Sequence, residues 1–162
     1  MYKITQEVDK LPEKFTGIVE HANGNKEWYL DGVRHREDGP AREYANGDKA
    51  WYLNGKVHRE DGPAVESANG KTWYLNNKLH REDGPAVERV NRDKHWFYNG
   101  KCHRVDGPAR EWADGYKEWY LNGKRFASQE DWQKALEKSK APCNNKTIKI
   151  NGKKYKLILS KE

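Results

Sequence analysis

The sequence predicts a mainly β, all-β-class protein: an extended, twisted antiparallel sheet of 22–23-residue β-hairpin repeats, followed by a C-terminal capping helix and a final β-hairpin. Three observations predict it. Trp28, Trp51, Trp73, Trp96 and Trp119 recur at intervals of 23, 22, 23 and 23 residues, and after the first four the string HREDGPA or HRVDGPA follows at a fixed offset. A fixed period in this range means a stack of units, none of which buries its apolar face alone. Two turn signals recur in each unit, as in Asn46-Gly47 and Asn54-Gly55 around Trp51. A type I′ turn needs positive φ at both central residues, which Asn tolerates and Gly accepts freely. Between the turns lie segments such as Lys49 to Leu53, too short for helices and rich in strand-forming residues.

Taken in order, residues 1–14 form an N-terminal strand and cap, with Tyr2 to Thr5 extended and Leu11-Pro12 breaking the strand. Residues 15–127 form the array, each repeat one antiparallel hairpin advancing it about 10 Å. Its first unit, Thr16 to Glu27, is incomplete, as terminal units that cap a core are. The central copies depart from the pattern at Asn76-Asn77 and at Asn91-Arg92, where Arg92 accepts positive φ less readily. The fourth copy, with Phe97, Tyr98 and Val105, diverges most. Ser128 then caps a helix over 128–140, with acids in its first turn and Trp132, Ala135 and Leu136 on one stripe. Residues 141–162 form a linker and a lysine-rich hairpin about Asn151-Gly152. A lone hairpin is marginal in water, so this one needs a dock.

Alternation along a strand puts each Trp and the Leu two residues on to one face and the intervening Tyr to the other. The indoles of Trp28, Trp51, Trp73, Trp96 and Trp119 are expected to form the core of the array. Tyr29, Tyr52, Tyr74, Phe97 and Tyr120 then lie exposed on the opposite face. With Arg36, Arg59, Arg81 and Arg104 they are the candidate protein-binding set, because aromatics and forked guanidinium donors are enriched at protein contacts. Each Pro of the Asp-Gly-Pro step is expected at a strand's first residue or at an edge.

The stretch WYLNGKVH (Trp51 to His58), led in by ANGDKAW (Ala45 to Trp51), resembles the MORN repeat family over about Thr16 to Lys124. The chain departs from that family where it has His-Arg-Glu-Asp-Gly-Pro-Ala in place of His-Gly-x-Gly, a variant similar to repeat proteins of phage and bacterial genomes. The resemblance implies an extended sheet with a groove, used for scaffolding, dimerisation and binding, and no catalytic residues. It further implies a phage-encoded inhibitor or adaptor acting on a host defence factor.

Composition fits a thin sheet better than a round core: 35% of residues are hydrophobic and mean hydropathy is −1.24. The net charge of +6 is unevenly placed. Residues 133–162 hold nine lysines against two glutamates, leaving 22 basic and 23 acidic residues before them. A near-neutral array gains little from counterion release. Nucleic-acid binding therefore falls to the tail, through Lys134, Lys138, Lys140, Lys149, Lys154 and Lys156, or arises indirectly through a nucleoprotein target. A third reading is a homodimer scaffold formed by strand addition.

No apolar targeting segment opens the chain and no run reaches membrane-spanning length, which predicts a cytoplasmic protein, in the host if phage-encoded, without a membrane partner. Cys102, at the place of Val33, Val57 and Leu79, reads as a packed hydrophobe. His35, His58, His80 and His103 each precede an aspartate by three residues, Asp38, Asp61, Asp83 and Asp106. Copies about 10 Å apart cannot converge ligands on one metal, so these aspartates are assigned a structural hydrogen bond from His or Arg within each turn. No cofactor and no enzymatic activity are expected.

Overall fold

The computed structural model describes residues 12–140 in full and the backbone alone of 2–4, 147–150 and 153–156. The expected linker, the turn at Asn151-Gly152, Leu11 and Cys143 lie outside the described residues. The chain divides into two compact units, Met1–Arg125 and Phe126–Glu162.

The first unit is built on a long sheet of thirteen strands that does not close into a barrel. Tyr2–Ile4, Gly17–Glu20, Lys26–Leu30, Arg42–Glu43, Lys49–Ala50, Val65–Ser67, Gly70–Thr72, Val87–Arg89, Lys94–His95, Arg110–Glu111, Lys117–Leu121 and Lys124–Phe126 follow one another across it in chain order. Val33–Arg34 pairs to the side of Lys26–Leu30. The strands are antiparallel except at the start, where Tyr2–Ile4 runs parallel to Gly17–Val19.

The expectation of one hairpin per repeat is corrected to two. In the three central copies the stretch read as a single strand breaks at Trp. Lys49–Ala50 stays in the long sheet, while Tyr52–Leu53 turns back on Lys56–Val57 as a separate two-stranded ribbon. Tyr74–Leu75 with Lys78–Leu79, and Phe97–Tyr98 with Lys101–Cys102, repeat it. The corner costs no hydrogen bond. Trp51 N–H donates to Ala64 O at 2.8 Å and Trp51 O accepts from His58 N–H at 3.1 Å, so both backbone groups remain paired. Each ribbon is tied to the next along the array, as in Gly55 N–H to Arg34 O at 2.8 Å and Arg36 N–H to Tyr52 O at 3.1 Å.

The two turn signals also differ in kind. The ribbon turns are type I′, with positive φ at both residues of Asp31-Gly32, Asn54-Gly55, Asn76-Asn77, Asn99-Gly100 and Asn122-Gly123. In the sheet turns only the second residue is left-handed: Gly24, Gly47, Arg92 and Gly115. Gly47 N–H donates to Tyr44 O and Tyr44 N–H to Asp48 O, both at 2.9 Å. That is a type I turn followed by a left-handed residue in a bulge, which leaves Asn46 in ordinary geometry.

The 22-residue interval is one residue lost from such a turn. Copy three has nothing at the place of Asn25, Asp48 and Asp93. Those side chains accept the amide of the following copy at Ala45, Ala68 and Ala113, at 2.9–3.1 Å. Where the residue is missing, the backbone carbonyl of Asn69 takes its part, accepting Val90 N–H at 3.2 Å.

What is fully buried is small. Ala41, Ala64, Ala86 and Ala109, the last residue of each HREDGPA or HRVDGPA string, have no exposed surface. All five indoles are half-buried, which corrects their expected place as the core. Each Pro lies two residues ahead of its strand rather than at its first residue. Cys102 is buried, its thiol Sγ set 3.8 Å from Ala109 O, and burial pushes the thiol pKa up. Its register partner Phe97 matches Tyr29 opposite Arg34 and Tyr52 opposite Val57, so Arg34, not Val33, is the counterpart of Cys102 in the first copy.

In the second unit the helix forms over Gln129–Lys140. Ser128 Oγ accepts Asp131 N–H at 3.1 Å and donates to Asp131 Oδ2 at 2.9 Å, closing the cap. Trp132 and Leu136 are buried. Thr147–Ile150 and Lys153–Lys156 pair antiparallel, as the pattern of the tail predicts.

Candidate functional site: a row of aromatic clefts

Each HREDGPA loop is organised by its arginine. Arg36, Arg59, Arg81 and Arg104 lie over Trp28, Trp51, Trp73 and Trp96, with the guanidinium carbon 3.9–4.3 Å from the ring centre. Each donates from Nε to the aspartate two residues on, at 2.7–2.8 Å. From Nη1 each reaches the Pro carbonyl at 3.2–3.3 Å and a glutamate seven residues on (Glu43, Glu66, Glu88 or Glu111) at 2.8–3.4 Å. A larger residue at the glycine beside it would push the guanidinium off its place. A Cβ on Gly39 or Gly84 would lie 2.9 Å from the guanidinium carbon.

The arginines are therefore on the indole side, not among the tyrosines, and the expected joint surface of Tyr29, Tyr52, Tyr74, Phe97 and Tyr120 with Arg36, Arg59, Arg81 and Arg104 splits in two. A single layer of hairpins has no second layer to cover an indole, so a guanidinium covers it by cation–π contact. Tyr52, Tyr74 and Phe97 are half-buried opposite Val57, Leu79 and Cys102. The Tyr29 and Tyr120 hydroxyls are occupied, donating to Glu27 and Glu118.

The aspartates hold the turns as expected, and the partner is arginine. That hydrogen bond and the adjacent positive charge keep Asp38, Asp61, Asp83 and Asp106 below the usual carboxylate range. Histidine does something else. Nδ1 of His35, His58, His80 and His103 accepts the backbone N–H of Asn54, Asn76, Asn99 and Asn122 in the following ribbon, at 2.9–3.3 Å. The same Nδ1 also lies 2.9–3.3 Å from the side-chain Oδ1 of that asparagine in the first three copies. In the first three copies Nε2 faces the glutamate two residues on at 3.5–3.7 Å.

Successive loops enclose clefts in a row. Arg36–Pro40 and His58–Asp61 wall the first, of 640 Å³, over Trp51 and Leu53. Arg59–Pro63 and His80–Asp83 wall the second, of 670 Å³, over Trp73 and Leu75. Arg81–Pro85 and His103–Asp106 wall the third, of 800 Å³, over Trp96 and Tyr98. The rim carboxylates of Glu37, Asp38, Glu60, Asp61, Glu82 and Asp83 are exposed. A separate cavity of 500 Å³ lies by the shortened turn of copy three, between Asn46–Asp48 and Glu88–Val90.

Sequence reasoning missed a charge row beside these clefts. Glu20, Lys26, Glu43, Lys49, Glu66, Lys71, Glu88, Lys94, Glu111 and Lys117 are consecutive register partners across the long sheet, alternating in sign. Opposite charges facing across strands stabilise by about 0.2–1 kcal/mol each. The signal was present in the sequence, as a lysine two residues before each of Trp28, Trp51, Trp73, Trp96 and Trp119 and a glutamate seven after every loop arginine.

Among the described residues no three His, Cys, Asp or Glu side chains converge as metal ligands, and no helix is long and apolar enough to cross a membrane. Lys134, Lys138 and Lys140 are exposed on the helix. The side chains of Lys149, Lys154 and Lys156 lie outside the described residues.

Fold and site together define a β-hairpin repeat array bearing a row of aromatic-floored, acid-rimmed clefts. No family model, curated protein or solved structure matches the chain.

Proposed function

We propose that the chain is a non-enzymatic protein-binding module that docks a partner along the row of HREDGPA loops. The observation that carries this reading is the series of three open clefts with Trp floors, whose rims present carboxylates held ionised by arginines already engaged in the fold. The arginines are fixed over one side of each indole and paired with the aspartates, so the groups left to a partner are the rest of each floor and the exposed carboxylates of Glu37, Glu60 and Glu82. Repetition supplies several weak contacts on one rigid body, which is how a modest cleft gains affinity. The MORN resemblance, with its binding and scaffolding roles, agrees with this.

The test places a photo-crosslinking benzoylphenylalanine at position 60, on the rim shared by the first two clefts, and at position 49, on the charge row, with a bacterial lysate as the source of partners. A discrete protein adduct from position 60 alone, unchanged by nuclease, is the expected result. Adducts equal at both positions, or lost on nuclease treatment, overturn the reading and transfer the case to the lysine-rich tail and nucleic acid.

A further inference from the structure

The clefts are not uniform. The third differs from its neighbours by two side chains: Tyr98 stands where the other copies have Leu30, Leu53, Leu75 and Leu121, and Val105 where they have Glu37, Glu60 and Glu82. Both line the third cleft, together with Trp96 and Pro85. Tyr98 is 43% exposed and Val105 48%. The Tyr98 ring is braced between His80 and His103, with centroids 4.7 and 6.2 Å away. One cleft has thus exchanged a rim carboxylate for an apolar wall and gained a fixed aromatic one.

Concave aromatic and aliphatic surface of this kind, ringed by polar groups, is the form taken by the anchor pocket of a protein interface. The first two clefts carry four rim carboxylates each and complement positive charge, whereas the third keeps Glu82, Asp83 and Asp106 beside the apolar Val105 and Tyr98. Resting on the reading of the row as a protein-docking surface, we infer that the third cleft receives one large apolar side chain of an extended partner segment, whose basic residues lie over the first two clefts. Spacing follows from the sheet. Copies advance about 10 Å, and a polyproline II chain rises about 3.1 Å per residue with three residues per turn, so side chains three positions apart face one way and meet consecutive clefts.

The probes are labelled, end-blocked peptides Lys-Ser-Ser-Lys-Ser-Ser-Phe and its reverse, with Ala-for-Phe versions of each, titrated by fluorescence anisotropy against the full chain. In the better orientation the Phe peptide is expected to bind about tenfold tighter than its Ala version, the effect of burying a large apolar side chain. Val105→Glu is expected to abolish that preference and Tyr98→Leu to reduce it. Both substitutions install residues that other copies carry at the same place, so the fold is retained, and circular dichroism confirms it. Glu60→Gln weakens Phe and Ala peptides alike, because that rim serves the basic positions.

Equal affinity for Phe and Ala peptides, a preference that survives Val105→Glu, or no binding by either peptide overturns the inference. The two readings fail separately. Equal affinities that both fall with Glu60→Gln leave the docking row standing without its anchor, whereas failure of the crosslink at position 60 removes the row itself.

Discussion

The first and last copies of the array carry the same five residues, Lys-Glu-Trp-Tyr-Leu at 26–30 and at 117–121, and the middle copies do not. At the ends the strand runs unbroken over all five residues; in the middle it breaks at Trp. Glu27 is buried among Tyr29, Arg34 and Arg42, pairing with Arg42 Nε at 2.9 Å and Arg34 Nε at 3.2 Å. Glu118 repeats this with Tyr120, Arg125 at 2.9 Å and Arg110 at 3.6 Å. At the equivalent positions copy two has Ala50, Val57 and Val65, with Arg42 still facing Ala50 across the sheet, and copy three has Thr72, Leu79 and Val87. One backbone hairpin thus takes an ionic filling at the ends and an apolar filling between. The other face, with its loop arginines and charge row, runs through both regions with little change. Copies with neighbours on both sides can share an apolar stripe, while terminal copies need a polar finish.

The largest expected effect comes from putting an end residue in the middle. Thr72→Glu places a half-buried carboxylate between its register partners Val65 and Val87, with no arginine opposite it, and should cost about 2–3 kcal/mol in urea unfolding. Adding Val87→Arg, the residue that Arg42 and Arg110 supply at the ends, should recover at least half of that loss. If the double variant is no more stable than the single, the fillings are not interchangeable and the comparison fails.

Next in size is Glu27→Ala, which leaves Arg34 and Arg42 facing each other. Both guanidiniums keep some solvent, so the expected loss is about 2 kcal/mol, below that of a fully buried pair. Smaller again are Arg36→Ala and Arg59→Ala, each removing a cation–π contact and partly exposed ion pairs, about 1–2 kcal/mol. These two should match within error, because that face is the same at an end and in the middle.

The smallest effects are titrations. Burial and the hydrogen bond to Glu27 push Tyr29 up to about 12. The fold therefore favours the neutral phenol, and its contribution is complete below pH 10 and is lost as pH rises from 10 toward 12. Burial and the hydrogen bond to Glu118 raise Tyr120 as well, so ultraviolet titration should find both Tyr29 and Tyr120 late, and Glu27→Gln should move only Tyr29 back toward 10. On the acid side, burial raises Glu27, but the Tyr29 hydroxyl and the two arginines outweigh it and hold its pKa low. Its contribution is present above the ordinary value of 4.5 and is lost as pH falls below it. His95 and His103 are held low, chiefly by burial. Their share is complete above pH 6.5 and declines as pH falls through that value, before the carboxylate phase begins.

Much of the fold was legible because it is local and repeated. The turn at Asn54-Gly55, the cap at Ser128 and the period of the Trp residues each follow from conformational preferences within a few residues. The arrangement of the loops was not legible in the same way. His35 precedes Asp38 by three residues, which suggests a bond within the turn. The atom that His35 meets belongs to Asn54, in the next copy. Arg36 and Tyr29 both suggested a partner surface, yet the fold uses Arg36 to cover Trp28 and Tyr29 to hold Glu27.

By itself, then, the sequence determined the repeat, its turns and strands, the C-terminal helix and the near-neutral charge of the array, because periodicity, backbone preference and composition act along the chain. The tertiary structure alone decided that Trp51 is a corner between two hairpins, that alanine rather than tryptophan fills the tightest space, and that loops of neighbouring copies enclose clefts. Each depends on which residue of one copy lies beside which residue of the next, and that register is settled by hydrogen bonds and side-chain volume across the stack.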